Sequence, residues 1–196
     1  MIAGPNGSGK STLIEKLQAA GISFGEYLNA DDIARSLGGG EEANRQAQQI
    51  VRDRRALALA ERRDYAWETV MSHHSHIEHL LEARSAGYEV YVIYVATEHP
   101  SVNVLRVRER TGKGGHGVPL AKIGERYAKS LAKLPYALIA SHFASVFDNS
   151  DPDEPFKLIC EVREDVLRLH YDYVEMPGWF QPALRHLHAK DYIDLS

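Results

Sequence analysis

Gly4-Pro5-Asn6-Gly7-Ser8-Gly9-Lys10-Ser11, followed by Thr12, is the stretch on which the reading of this chain turns. It satisfies the pattern G-x-x-x-x-G-K-[ST], in which each residue type has a physical task. The glycines let consecutive backbone N–H groups turn inward around the phosphates of a nucleotide. Lys10 reaches the β and γ phosphates, and the Ser11 hydroxyl ligates Mg²⁺. The flanks agree with this. Met1-Ile2-Ala3 reads as a strand stub, and Lys10 to Ala20 as a helix with Leu13, Ile14 and Leu17 on one face and Gly21 as its stop. Residues 4–12 are therefore expected to bind ATP with Mg²⁺. Only three residues precede the loop, where an average strand has about 5–6. A short first strand and a reading frame that begins earlier both remain open.

Working outward, strand-like runs alternate with helical patterns. Glu26-Tyr27-Leu28-Asn29, Tyr65-Ala66-Trp67, Tyr88 to Val95 and Ala144 to Asp148 read as strands, the fourth-listed segment closing a central set of which Tyr88–Val95 is buried on both faces. Helices are expected at Ile33–Leu37, Glu41–Arg63, His73–Ala86, Pro100–Arg110 and Leu120–Ala140. At the C-terminus, Phe156–Val162 and Tyr171–Val174 suggest a strand or small hairpin before a closing helix near Phe180–His188. No repeat and no Pro/Gly linker divides the chain. Residues 1–196 are read as one α/β domain: a three-layer P-loop nucleoside-triphosphate fold, with a mainly parallel sheet and helices on both faces.

Composition narrows the class. With 196 residues, 44% hydrophobic and 26% charged, the chain has material for one full core and is neither disordered nor fibrous. Its one cysteine, Cys160, has no internal partner and sits in an apolar run, as a buried strand thiol would. No apolar stretch reaches the ~18 residues of a membrane span, and no signal pattern opens the chain, so a cytoplasmic protein is expected. The net charge of −4 argues against a duplex-binding surface. The basic residues nevertheless gather between Arg106 and Lys133, with Arg106, Arg108, Arg110, Lys113, Lys122, Arg126, Lys129 and Lys133 opposed only by Glu109 and Glu125. Such a strip suits a small anionic ligand.

Carboxylates at strand ends supply candidate chemistry. In an open parallel sheet the C-terminal strand ends and the phosphate loop share one edge, which brings Asp31, Asp32 and Glu68 toward the γ-phosphate. An Asp there accepts the proton of an attacking hydroxyl, and a Glu holds metal-bound water or a substrate hydroxyl. One of Asp31 and Asp32 is also expected to cap the helix that follows. Arg106 and Arg110 share a helix face at i, i+4 spacing, and Arg126 lies on the next helix. Between them Thr111 to Pro119 is glycine-rich and includes His116, so residues 106–126 are read as an arginine-rich lid that neutralises transferring phosphates. The strand ending in Ala96-Thr97 lacks the Asp-Glu pair of a motor ATPase. Ser36-Leu37-Gly38-Gly39-Gly40-Glu41 has the wrong order and place for a transporter signature.

These residues resemble the zeta-toxin family of P-loop kinases, in its compact bacterial branch. The resemblance spans about Ile2 to Ser150. It rests on Ala3 to Thr12, Asn29-Ala30-Asp31-Asp32-Ile33-Ala34, Glu68-Thr69, Ala86-Gly87-Tyr88-Glu89-Val90 and Arg106 to Arg110. It continues in Gly114-Gly115-His116-Gly117-Val118-Pro119, Arg126-Tyr127 and Phe147-Asp148-Asn149-Ser150. It implies transfer of the ATP γ-phosphate to a hydroxyl, with UDP-N-acetylglucosamine the acceptor of typical members. Asp31 would then be the base, and Lys10, Arg110 and Arg126 would stabilise the phosphoryl group with Arg106 in support. Ser11 would hold Mg²⁺, and Asn149 would lie near the adenine. Glu68, Thr69 and His116 would meet the acceptor. A small antitoxin protein is the implied partner. The longer sugar-binding insertions of the well-known toxins have no match here.

Two other readings stand beside the kinase: a polynucleotide-end kinase, disfavoured by the net charge, and an ATP-dependent switch or ATPase without an acceptor. His73, His74, His76 and His79 read as an exposed helix start rather than a metal site. Trp67 reads as core, and Asp151 to Pro155 as a solvated turn. Trp179 and Phe180 either close the core or meet a partner.

Overall fold

The computed structural model describes residues 1–112, 120–190 and 192. Strands β1 (Ile2–Ala3), β2 (Glu26–Leu28), β3 (Tyr65–Thr69), β4 (Tyr91–Ala96), β5 (Phe143–Asp148), β6 (Lys157–Arg163) and β7 (Val166–Leu169) form a seven-stranded sheet in the order β2-β3-β1-β4-β5-β6-β7. The first five run parallel, and β6 and β7 are antiparallel. The helices are α1 (Lys10–Ala19), α2 (Ala30–Ser36), α3 (Gly40–Ala60), α4 (Ser75–Ser85), α5 (Pro100–Gly112), α6 (Leu120–Leu131), α7 (Leu134–Ala140) and α8 (Gln181–His188). This is the expected three-layer α/β P-loop fold.

Alternation along β1 and β3 decides what meets the loop. Successive strand residues point to opposite faces. Ile2 and Ala66 pack with Ile14 of α1 on one face, while Ala3 and Trp67 join the main core on the other. Ile2 is in register with Glu68 and Ala3 with Thr69. Glu68 therefore emerges on the α1 face, beside the phosphate loop, and Thr69 on the face toward α4.

Several boundaries differ from the sequence reading. The helix expected over Leu120–Ala140 is broken into α6 and α7, because Pro135 at the start of α7 has no N–H to continue a ladder from α6. Tyr171–Val174 is not a strand. Glu164 (φ 50°) and Asp165 (φ 67°) make a left-handed two-residue turn, which starts β7 at once, at Val166. Phe156 precedes β6 with a left-handed backbone, φ 60°. The His73–His79 segment is not simply an exposed helix start. His79 is buried against the Tyr65 hydroxyl (2.8 Å), and His76 pairs with Thr69 Oγ1 (2.9 Å). Cys160, Trp67, Trp179 and Phe180 are all buried, and the Trp179 indole N–H donates to Asp148 (2.6 Å). Burial pushes the Cys160 thiol well above its ordinary pKa, so it stays protonated. No helix among the described residues is long and apolar enough to cross a membrane.

Candidate active site

The loop between β1 and α1 is shaped by contacts that only glycine permits. A Cβ on Gly4 (φ 140°) would lie 2.0 Å from the Val95 carbonyl oxygen, and one on Gly9 (φ 103°) would lie 2.4 Å from Asn149 Nδ2. Gly9 is also the N-cap of α1, where no side chain caps the helix and the first turn carries no acid. The N–H groups and the positive end of α1 thus face the loop uncompensated, which is what a phosphate requires. Asn6 Oδ1 and Ser8 Oγ are buried in the loop without a hydrogen-bond partner among the described residues. Backbone, helix end and orphaned polar atoms all fit a bound nucleotide triphosphate.

Neutral side chains brace the loop on its β4 and β5 side. Asn103 Nδ2 donates to the Asn6 carbonyl (2.7 Å), and the Thr97 hydroxyl donates to Asn103 Oδ1. Asn149 Nδ2 donates to the Ser8 carbonyl (2.8 Å). Asn149, expected beside the base, is thus also a tether of the loop. Asn103 and Thr97 escaped the sequence reading. The one available signal was an asparagine three residues into a helix that follows a strand, and that signal is weak.

On the β3 side lies a carboxylate hub. Lys10 is buried and donates to the carbonyls of Gly4 (2.9 Å) and Pro5 (3.0 Å), with Glu68 Oε1 at 3.8 Å. Glu68 accepts from Ser11 Oγ (3.2 Å to Oε2), the Tyr27 hydroxyl (2.9 Å) and Asn29 Nδ2 (3.2 Å). Burial lowers the Lys10 pKa, Glu68 and then Asp31 raise it, and Arg110 lowers it again. Burial and then the Glu68 charge push the Tyr27 phenol far up, so it remains a donor. A serine hydroxyl and a carboxylate side by side are hard oxygen ligands of the kind Mg²⁺ accepts alongside phosphate and water.

Asp31 stands in the first turn of α2, but it is not the cap. Asn29 is, its Oδ1 accepting from Asp31 N–H (2.9 Å) while its amide donates to Glu68. Neither expected aspartate is used for capping. Asp32 pairs with Arg35 (2.9 Å), and the exposed Asp31 carboxylate has no hydrogen bond or ion pair among the described residues. Asn29 and Tyr27 were missed in the sequence, although an asparagine just before a helix is a recognisable cap.

The remaining candidates divide. Thr69 faces α4 and is engaged, accepting from Met71 N–H (3.0 Å) and pairing with His76. Arg106 and Arg110 lie on α5 and Arg126 on α6, where the neighbouring Tyr127 hydroxyl donates to the Thr97 carbonyl (2.6 Å) and docks α6 at the end of β4. Arg106 Nη1 is buried and has no hydrogen-bond partner among the described residues. His116 and the centre of the expected lid lie outside the described residues. No group of three or more His, Cys, Asp or Glu able to hold a metal occurs among the described residues. A cavity of about 870 Å³ opens at the opposite edge of the sheet, lined by Met1, Ile22, Phe24, Tyr65, Tyr88 and Tyr91, away from the loop.

Fold, loop and hub together define a P-loop nucleotide-binding protein. More particularly, residues 1–132 match the family described as AAA domain, and the chain belongs to that family. An uncharacterized protein of Haemophilus influenzae strain Rd is 27% identical over 129 residues, covering 63% of this chain and 88% of its own. Among solved structures, a chain of the AvrRxo1-ORF1:ORF2 complex with ATP superposes with a TM-score of 0.65 at 14% identity. That match covers 90% of this chain, which spans only 63% of its counterpart. A chain of the PezAT chromosomal toxin–antitoxin system of Streptococcus pneumoniae gives a TM-score of 0.56 at 16% identity, over 95% of this chain and 76% of that one. At these identities the likeness establishes a shared fold.

Proposed function

We propose that the protein is an ATP-dependent phosphotransferase that moves the γ-phosphate to a hydroxyl of a small nucleotide-type acceptor such as UDP-N-acetylglucosamine. The observation that carries this reading is the pairing of a saturated hub with an unsaturated acid. Lys10, Ser11 and Glu68 are held together, while Asp31, in the first turn of the helix whose cap Asn29 donates to Glu68, keeps a carboxylate with no hydrogen bond or ion pair among the described residues. A P-loop that only binds or switches has no use for a spare base at its reactive end. ATP supplies the phosphoryl group, and Mg²⁺ supplies Lewis acidity.

The chain's own residues do the rest. Asp31 takes the acceptor's proton as that oxygen attacks phosphorus and the bond to the ADP oxygen breaks. Lys10, with Arg110 and Arg126 and in support Arg106, offsets the charge of the transferring group. Ser11 and Glu68 would hold Mg²⁺ when it is bound, and Glu68 and His116 orient the acceptor, whereas Thr69, engaged with His76 on the far face, takes no part. The shared fold with chains of two-component assemblies, one of them a toxin–antitoxin system, supports a small antitoxin as partner. The cytoplasm, where ATP and Mg²⁺ are plentiful, is the proposed compartment.

The test is mass spectrometry of nucleotide sugars, dinucleotides and short oligonucleotides incubated with ATP, Mg²⁺ and either the native protein or Asp31→Asn. A phosphate added to a nucleotide sugar by the native protein alone supports the proposal. ATP depletion without a phosphorylated acceptor, equal in both, would overturn it.

A further inference from the structure

We propose that Phe156 is the aromatic platform on which the base of the bound nucleotide stacks, an inference that rests on the nucleotide-binding reading above. The loop has two ends. Glu68 lies beside Lys10, and Asp31 stands in the first turn of the helix whose cap, Asn29, donates to Glu68, so the side of β2 and β3 marks the reacting end of the triphosphate. The nucleoside must then leave on the other side, toward α1 and the segment that follows β5. Residues 149–156 form that segment, and its two ends return to the loop. Asn149 is tied to the Ser8 carbonyl at 2.8 Å, and the edge of the Phe156 ring packs on Gly9, Cε1 being 3.4 Å from where a Cβ would stand.

Three further features set this ring apart. Phe156 has φ 60°, a left-handed conformation that a bulky aromatic residue adopts only when its surroundings impose it. The ring is half-buried rather than sunk in the core, and it belongs to none of the hydrophobic core clusters. Lys16, in the last turn of α1, holds its ammonium 5.1 Å from the ring centroid, where it steadies the ring by a cation–π contact. The chain thus spends backbone strain to set a semi-exposed aromatic plane against the phosphate loop, on the side away from the reacting groups. Every base has a π face, so such a platform holds purine nucleotides without choosing sharply between them.

Calorimetric titration of the native protein, Phe156→Leu and Phe156→Trp with MgATP and with inorganic tripolyphosphate tests this, with circular dichroism to establish that each variant is folded. Tripolyphosphate has the phosphates without the base. Phe156→Leu is expected to weaken ATP about tenfold while leaving tripolyphosphate within about twofold, and Phe156→Trp to keep native ATP affinity. Equal losses for both ligands would mean that the ring only supports the loop and would overturn the assignment, as would native ATP affinity in Phe156→Leu. Should the native protein bind neither ligand, the nucleotide-binding reading fails as well, so the two failures are distinguishable.

Discussion

The two flanks of the phosphate loop are built on opposite principles. On the β4 and β5 side the loop's tethers are neutral hydrogen bonds: Thr97 to Asn103, Asn103 to the Asn6 carbonyl, Asn149 to the Ser8 carbonyl. On the β3 side the contacts are charged or charge-assisted. Glu68 collects three donors from two chain segments, and the Asp31 carboxylate has none among the described residues. Neutral, saturated groups hold a backbone in one shape at little electrostatic cost. An exposed carboxylate without a protein partner, as Asp31 is among the described residues, is left available to a ligand. The contrast assigns holding to one flank and reaction to the other.

The largest effect should come from the reacting flank. Lys10→Ala removes a buried ammonium that serves two carbonyls and faces Glu68. Phosphoryl transfer, measured by radiolabelled γ-phosphate, is expected to fall by about 10²–10³-fold. A smaller fall would shift the burden to Arg110 and Arg126. Next comes Asn29→Asp, which keeps the helix cap but turns a donor at 3.2 Å from Glu68 into a second carboxylate. Transfer should drop at least tenfold, because two like charges then face each other beside Lys10, while Asn29→Ser, which keeps a cap without adding a charge, should lose less. Equal losses in the two variants would argue against a charge effect.

On the holding flank the expected change is in stability. Asn103→Ala leaves the Asn6 carbonyl and the Thr97 hydroxyl without their buried partner. Urea denaturation should show a loss of about 1–3 kcal/mol. No loss would mean that the loop is shaped without this brace.

The smallest effect concerns pH. Burial first, then the charges of Arg55, His73 and His79, depress the His76 pKa from 6.5 to about 4. Between those values the unfolded chain binds the extra proton, so stability declines as pH falls from 6.5 toward 4 and is complete above that window. Replacing His76 by Gln should flatten this part of the melting temperature versus pH curve. His79, also depressed, leaves a residual slope.

Much of the reacting flank was legible in the sequence, because its chemistry sits in a contiguous motif and at strand ends. Residues 4–12 announced the loop, and the parity of a five-residue strand then carries Glu68 to it. What sequence could not give was the division of labour among near-equivalent neighbours. Asp31, Asp32 and Asn29 are all capable caps, and the choice of Asn29 follows from a second bond to Glu68 that lies 39 residues away in sequence. Thr69 looked like a partner of Glu68 by adjacency, yet alternation sends it to His76 on the far face. The holding flank was nearly invisible. Asn103 and Asn149 act across 97 and 141 residues through single amide bonds, which leave no local pattern. The β6–β7 hairpin was placed too late because its turn uses Glu164 and Asp165 in left-handed conformations usually signalled by Asn or Gly.

The contrast between the flanks is tested most directly by measuring ATP affinity and phosphoryl-transfer rate together on Asp31→Asn and Asn149→Ala. A reacting flank opposed to a holding flank requires a crossed result. Asp31→Asn should bind ATP within about twofold of the native protein and lose transfer by about 10²–10⁴-fold, while Asn149→Ala should bind ATP several-fold more weakly and transfer at a near-native rate once saturated. If both variants lose affinity and rate in the same proportion, the two flanks are one functional unit and the division drawn here is wrong.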